Sequence, residues 1–168
     1  MTDNTLREKI RRVKLLLTDC DGVLTDNGVY YDANGEAMKR FSIRDGMGII
    51  RLRDLCGIET GIITGSNSQS IVRRAEKLHI TELHLAVDDK VAIVQNIAQK
   101  YALDLSEIAY IGDDTNDIEL LQIVGLRACP ADATEFVRPY VDYVCSEREG
   151  YGALRELTER IIAEKMQI

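Results

Sequence analysis

Short apolar runs recur along the chain, most of them closing on a glycine or an acidic turn and one, at 126–129, on Pro130, with stretches of helical spacing between most of them. Residues 13–18 are the first: a brief run near the start, stopped by a Gly22 turn, reads as a buried parallel strand. Residues 58–63, 82–86, Ile108–Ile111, Leu126–Cys129 and 141–145 repeat that signature. Between them the spacing predicts helices. One runs from an Asp45 cap to Cys56, with Gly57 as its stop. A second runs from the caps at Ser66, Asn67 and Ser68 to Leu78, with Ile71, Ala75 and Leu78 inward. A third opens at Lys90 and carries Val91, Val94, Ile97 and Ala98; a short one covers 118–124, and an amphipathic one covers 153–165. Residues 2–12, polar and then basic, predict a short leading helix. The stretch 28–41 differs, because Asn34-Gly35 divides two strand-like runs. Asn-Gly accepts positive φ at both central turn positions, so a β-hairpin is predicted there, projecting from the domain.

Strand and helix thus alternate about five times. That predicts an α/β fold over residues 1–168 as one domain: a doubly wound, mostly parallel sheet with helices on both faces. A length of 168 residues suits one domain, and 45% hydrophobic with 29% charged residues describes a soluble globular protein. No apolar run approaches the ~20 residues of a membrane span and no signal-peptide pattern occurs, so a cytoplasmic location without membrane contact is expected. A net charge of −7 argues against nucleic acid, whose binding rests on basic neutralisation, but leaves room for an anionic small molecule. Cys20, Cys56, Cys129 and Cys145 have no C-x-x-C spacing and read as free thiols. His79 and His84, five apart, do not share a helical face.

The candidate chemistry gathers at strand ends, where open α/β sheets build their sites. Asp19 and Asp21 follow the first strand, and two adjacent carboxylates there need a cation or a proton. Thr64 follows the second, Lys90 the third, and Asp113, Asp114 and Asp117 the fourth. Taken singly each has a plain alternative: a turn, a solvated lysine, a polar loop. Their meeting at four strand ends favours a hard-oxygen Mg²⁺ site for phosphoryl transfer. In it an Asp is the nucleophile, a second carboxylate moves the proton, Thr64 donates to phosphoryl oxygens and Lys90 supplies fixed charge.

Asp-x-Asp-Gly-Val, Ile-Thr-Gly, Asp-Lys and Gly-Asp-Asp-x-x-Asp, in this order, resemble the haloacid dehalogenase superfamily of phosphatases over about residues 13–155. The resemblance implies Asp19 as nucleophile, Asp21 as general acid/base, and Mg²⁺ held by Asp19, the Asp21 backbone carbonyl and Asp113, with Asp114 and Asp117 supporting. The segment Phe41-Ser42-Ile43-Arg44-Asp45-Gly46-Met47-Gly48, Arg73-Arg74 and Gly152-Ala153-Leu154-Arg155-Glu156 resemble more closely the capless 3-deoxy-D-manno-octulosonate 8-phosphate phosphatase family. Neither 23–57 nor 65–89 has room for a cap domain once the predicted elements are subtracted. That family implies a phosphorylated 3-deoxy-2-keto sugar acid as substrate, in lipopolysaccharide precursor synthesis. It also implies a homotetramer assembled through the hairpins, and substrate contacts from Asp21, Ser42, Ile43, Arg44, Asp45, Gly46, Ser66, Arg74 and Lys90. The chain departs from the pattern at Ser66, where the family tends to carry Arg or another long polar residue, at Ile50, where it has Arg, and at Tyr151, where it carries Arg or Lys. These departures leave a nine-carbon sugar acid 9-phosphate as the alternative substrate. A phospho-receiver module disagrees with the motif order, since Lys90 precedes Gly-Asp-Asp, and an idle oligomerisation module disagrees with the complete motif set.

Overall fold

The computed structural model describes residues 3–167. Its first strand, β1 (Leu15–Thr18), is buried at every position, and its side chains part to two separate cores. Leu16 faces Ile10, Ile49, Leu52, Ile71 and Leu157, from α1 (Asp3–Arg12), α2 (Ile43–Cys56), α3 (Gln69–Leu78) and α6 (Ala153–Met166). Leu15 and Leu17 face Val94, Ile97, Leu120 and Leu121, from α4 (Lys90–Tyr101) and α5 (Ile118–Ile123). A strand buried on both faces needs no polar alternation, which is why its sequence reads Leu-Leu-Leu.

The sheet order is β5-β4-β1-β6-β7-β8, and every pairing in it is parallel. The added strands are β4 (Glu59–Ile63), β5 (Leu83–His84), β6 (Ile108–Ile111), β7 (Leu126–Cys129) and β8 (Tyr143–Val144). The chain winds outward from β1 to β5, then crosses back to β6 on the other side of β1. The carboxyl ends of β1 and β6 therefore meet at the switch point, the place where such a sheet opens a crevice. Residues 19–58 between β1 and β4 are taken up by the hairpin and α2, and residues 64–82 by α3, so the fold is capless.

Four expectations are corrected in detail. The edge strands at 82–86 and 141–145 shrink to two residues each, Leu83–His84 paired with β4 and Tyr143–Val144 with β7, and edges this short offer little to pair with another chain. The cap of α2 is Ser42, whose Oγ accepts from the Asp45 N–H at 3.3 Å. Asp45, expected in that role, turns its Oδ1 to the Arg155 N–H at 2.8 Å and so caps the first turn of α6. The hairpin is longer than 28–41: β2 (Thr25–Asp32) pairs with β3 (Gly35–Phe41) down to Thr25 opposite Phe41. Its turn also slips by one residue. Asp32 pairs with Gly35, Ala33-Asn34 occupy the centre, and the positive φ falls on Gly35 alone, at 118°. The Asn34 N–H bonds Asp32 Oδ1 at 2.7 Å, a local turn that competes with the Asn-Gly geometry. Along the hairpin Val29, Tyr30, Tyr31 and Met38 are exposed. Cys20, Cys129 and Cys145 are buried free thiols; Cys56 is half-buried.

Candidate active site

Strand alternation ends at Thr18, so Asp19 and Asp21 lie in the turn beyond β1 rather than on the strand. The Cys20 carbonyl accepts from the backbone N–H groups of Val23, Leu24 and Thr25, which coils the turn tightly and buries Cys20. Both carboxylates nonetheless reach one cleft of about 250 Å³. Asn27, Thr64, Gly65, Ser66, Asp113, Asp114 and Asn116 complete its lining.

Lys90, the first residue of α4, is 5% exposed and stands behind this cleft. Its Nζ donates to Asp19 Oδ2 at 2.7 Å, to Asp117 Oδ1 at 2.7 Å and to the Tyr110 hydroxyl at 3.2 Å. Burial alone would lower its pKa; Asp19 and Asp117 reverse the sign and hold it protonated. Asp117 is spent on this framework. Its Oδ1 also accepts from the Tyr110 hydroxyl at 2.5 Å, and its Oδ2 from the N–H groups of Asp113 and Asp114 at 3.0 and 3.4 Å. Asp19 Oδ1 accepts from the Cys20 N–H at 2.6 Å. Thr64 Oγ1 accepts from the Ser66 N–H at 3.1 Å, which leaves its own proton for a ligand oxygen.

Asp113 is the exception in this ordered set, since its Oδ1 is buried with no hydrogen-bond partner among the described residues. Burial first, then Asp19 and Asp117, push its pKa to about 8; burial and Asp117 push Asp19 to about 6 against the pull of Lys90. Ligand oxygens of Asp19, Asp113 and Asp117 lie within 4.8 Å of one another. One lysine cannot balance three carboxylates at that spacing. A hard divalent cation would, and the orphaned Asp113 oxygen beside Asp19 is where it fits. Asp117 already has both oxygens engaged by protein donors. Gly22 lets this happen: at φ +83° it sits so close that a Cβ would lie 2.0 Å from Asp113 Oδ2.

The remaining residues singled out from the sequence sit elsewhere. Ser42, Ile43 and Arg44 line a second cleft of about 480 Å³ with Arg40, Phe41 and Tyr151. Arg74 Nη2 donates to the Ser42 carbonyl at 2.7 Å, Gly46 packs against Arg74, and Asp45 is engaged with α6. Asn27 on the cleft wall, and Tyr110 and Lys39 against its acidic side chains, carry no local sequence signal. Tyr110 looked like one more apolar residue of β6. Asn27, at φ 58°, sits where only the hairpin's extended base carries it. Lys39 comes from β3, and its Nζ donates to Asp21 Oδ2 at 2.6 Å.

Comparison with known proteins agrees with this geometry. A family model of haloacid dehalogenase-like hydrolases matches residues 73–157. The 3-deoxy-D-manno-octulosonate 8-phosphate phosphatase of Haemophilus influenzae is 36% identical over 157 residues, covering 94% of this chain and 87% of the relative. The crystal structure of such a phosphatase from Moraxella catarrhalis, in complex with magnesium, phosphate and a KDO molecule, superposes with a TM-score of 0.94. It is 32% identical, over 99% of this chain and 95% of that one. The cobalt-bound Haemophilus influenzae structure gives 0.91 at 36% identity, over 94% and 92%.

Proposed function

The chain belongs to the haloacid dehalogenase-like hydrolases, and on that premise we propose that it is a Mg²⁺-dependent phosphatase of a phosphorylated 3-deoxy-2-keto sugar acid. Its first substrate is 3-deoxy-D-manno-octulosonate 8-phosphate, cleaved to octulosonate and phosphate; the relatives that support this span nearly the whole chain. The observation that carries the reading is the open carboxylate oxygen of Asp113 beside the Lys90-braced Asp19, on a cleft that Asp21 and Thr64 also line.

Asp19, the backbone carbonyl of Asp21 and Asp113 would hold Mg²⁺, which when bound supplies charge neutralisation for the phosphoryl group. Asp19 attacks phosphorus and the P–O bond to the sugar breaks, with Asp21 giving its proton to the departing oxygen. Water then attacks the aspartyl-phosphate and Asp21 takes its proton back, which releases phosphate and restores Asp19. Thr64 donates to a phosphoryl oxygen. Lys90 keeps Asp19 aimed and balances charge.

The second cleft stands apart from this chemistry, so Ser42, Ile43, Arg44, Asp45, Gly46 and Arg74 are assigned to the sugar end of the substrate in an assembly. The exposed Val29, Tyr30, Tyr31 and Met38 support a homotetramer in which hairpins bury one another, with a solution mass four times that of the 18.9 kDa chain. A reducing, cytoplasmic setting suits the four free cysteines. The deciding experiment compares phosphate release from the eight-carbon and nine-carbon sugar-acid phosphates with Mg²⁺ present. A higher kcat/KM for the eight-carbon ester is expected. A preference for the nine-carbon ester would move the assignment to that substrate, and release from neither would overturn the reading.

Metal removal has a signed consequence. Asp19 and Asp113 have folded pKa values above the ordinary 3.8. The metal-free fold therefore holds protons that the unfolded chain has lost. The stability they give is full below about 3.8 and is lost as pH rises through about 6 and then about 8. Metal-free protein should melt at lower temperature at pH 8 than at pH 5.5. Mg²⁺, which competes with those protons, should raise the melting temperature more at pH 8. A Mg²⁺ effect larger at pH 5.5 would contradict this linkage.

A further inference from the structure

The hairpin reaches the catalytic turn through one side chain. Lys39 rises from the middle of β3, opposite Val29, and its side chain is 2% exposed although the strand around it faces solvent. Its ammonium meets Asp21 Oδ2 at 2.6 Å and Glu36 Oε2 at 3.8 Å. Burial works against its charge, but Asp21 and Glu36 outweigh burial and keep it protonated. The other Asp21 oxygen, Oδ1, accepts from the Thr25 hydroxyl at 3.2 Å, at the base of β2. Both oxygens of Asp21 are thus held by the hairpin, whereas those of Asp19 are held by the turn beyond β1 and by α4. Glu36 in turn accepts from the Ser68 hydroxyl at the N-cap of α3, so Lys39 is itself fixed from the far side of the cleft.

We infer that Lys39 is a positioning residue for Asp21: by donating to Oδ2 its ammonium fixes the orientation of the carboxyl group, so that the proton passed to the leaving oxygen is carried on Oδ1, the oxygen with the longer 3.2 Å contact. The inference rests on the phosphatase reading and adds a role for the hairpin within the reaction of its own chain. A buried lysine is costly to desolvate, and a surface hairpin has no packing need for one. Its close partner, at 2.6 Å, is the carboxyl group that the reaction requires, with Glu36 farther off at 3.8 Å. An ion pair at this distance and burial is charge-assisted and fixes geometry better than a solvated pair does.

The test uses the leaving group. An alkyl phosphate such as a sugar phosphate needs a proton on its departing oxygen, whereas 4-nitrophenyl phosphate expels a stable phenolate without one. Lys39→Met keeps the apolar stem and removes the charge. It should lower kcat on the alkyl ester by about 10²-fold, within the usual range for general acid catalysis, and on the aryl ester by less than about fivefold. Lys39→Arg should recover at least about tenfold of the alkyl loss. Any alkyl phosphate that the protein hydrolyses serves, so the outcome does not depend on which sugar acid it prefers. A crystal structure of Lys39→Met supplies a readout without turnover, in which Asp21 is expected to leave its present orientation. Equal losses on both esters, or an Asp21 unmoved in the variant, would overturn the inference. Failure of the phosphatase reading would show separately, as a wild-type protein inactive on every ester.

Discussion

Asp19→Asn is expected to abolish phosphate release, by about 10⁴-fold or more, in a protein that still folds. The amide matches the carboxylate in shape but is no nucleophile toward phosphorus, so nothing in the cleft replaces it. Folding should survive because the contacts around Asp19 can be kept. The amide oxygen can accept from the Cys20 N–H, and Lys90 retains Asp117 and the Tyr110 hydroxyl. The substitution also removes one of the charges that raise Asp113 to about 8. Metal-free Asp19→Asn should therefore lose less stability between pH 6 and pH 8 than the wild type. Malachite-green phosphate assays and thermal melts at both pH values check the two halves. Turnover within tenfold of wild type would overturn the proposed role of Asp19 as nucleophile.

Much of this site was legible because its acids sit next to their strands. β1 and β6 are short buried runs with unambiguous ends, so Asp19 and Asp113 could be assigned to strand carboxyl ends from sequence alone, while the adjacency of those two strands comes from the sheet order. Lys90 was legible as a cation opening a helix, though not that it is buried and shared between two carboxylates. Partners that arrive from elsewhere were not legible. Lys39 lies 18 residues from Asp21 and reaches it only because the hairpin folds back along its whole length. Tyr110 reads as core packing until its hydroxyl is seen against Asp117. Asp45 shows the reverse error. Near a helix start it looked like a cap for α2, but its carboxylate reaches 110 residues onward to the first turn of α6. Local rules see a residue's own turn; they do not see which distant N–H is left unpaired nearby.

Lys90→Met is expected to cost both activity and stability, and its pH dependence separates charge from packing. The lysine is 5% exposed and is the cation facing Asp19 and Asp117, so removal leaves two buried carboxylates without their counter-ion. Breaking a buried pair in this way typically costs about 3–5 kcal/mol, and losing a fixed charge beside the phosphoryl site about 10²–10³-fold in kcat. Methionine fills most of the lysine volume, so a cavity is not the main loss. Lys90 is the larger of the two influences that hold Asp19 down, the other being the Cys20 N–H, and without it the folded-state pKa of Asp19 must rise above its present value of about 6. The variant then keeps more of its stability in acid, where Asp19 carries a proton, and loses it as pH rises toward neutrality. Urea midpoints at pH 5 and pH 8 should show a smaller deficit at pH 5, and Mg²⁺ should recover part of the deficit at pH 8. A deficit independent of pH would mean that Lys90 acts through its packed stem. Its two 2.7 Å contacts would then be incidental to holding the acidic cluster together.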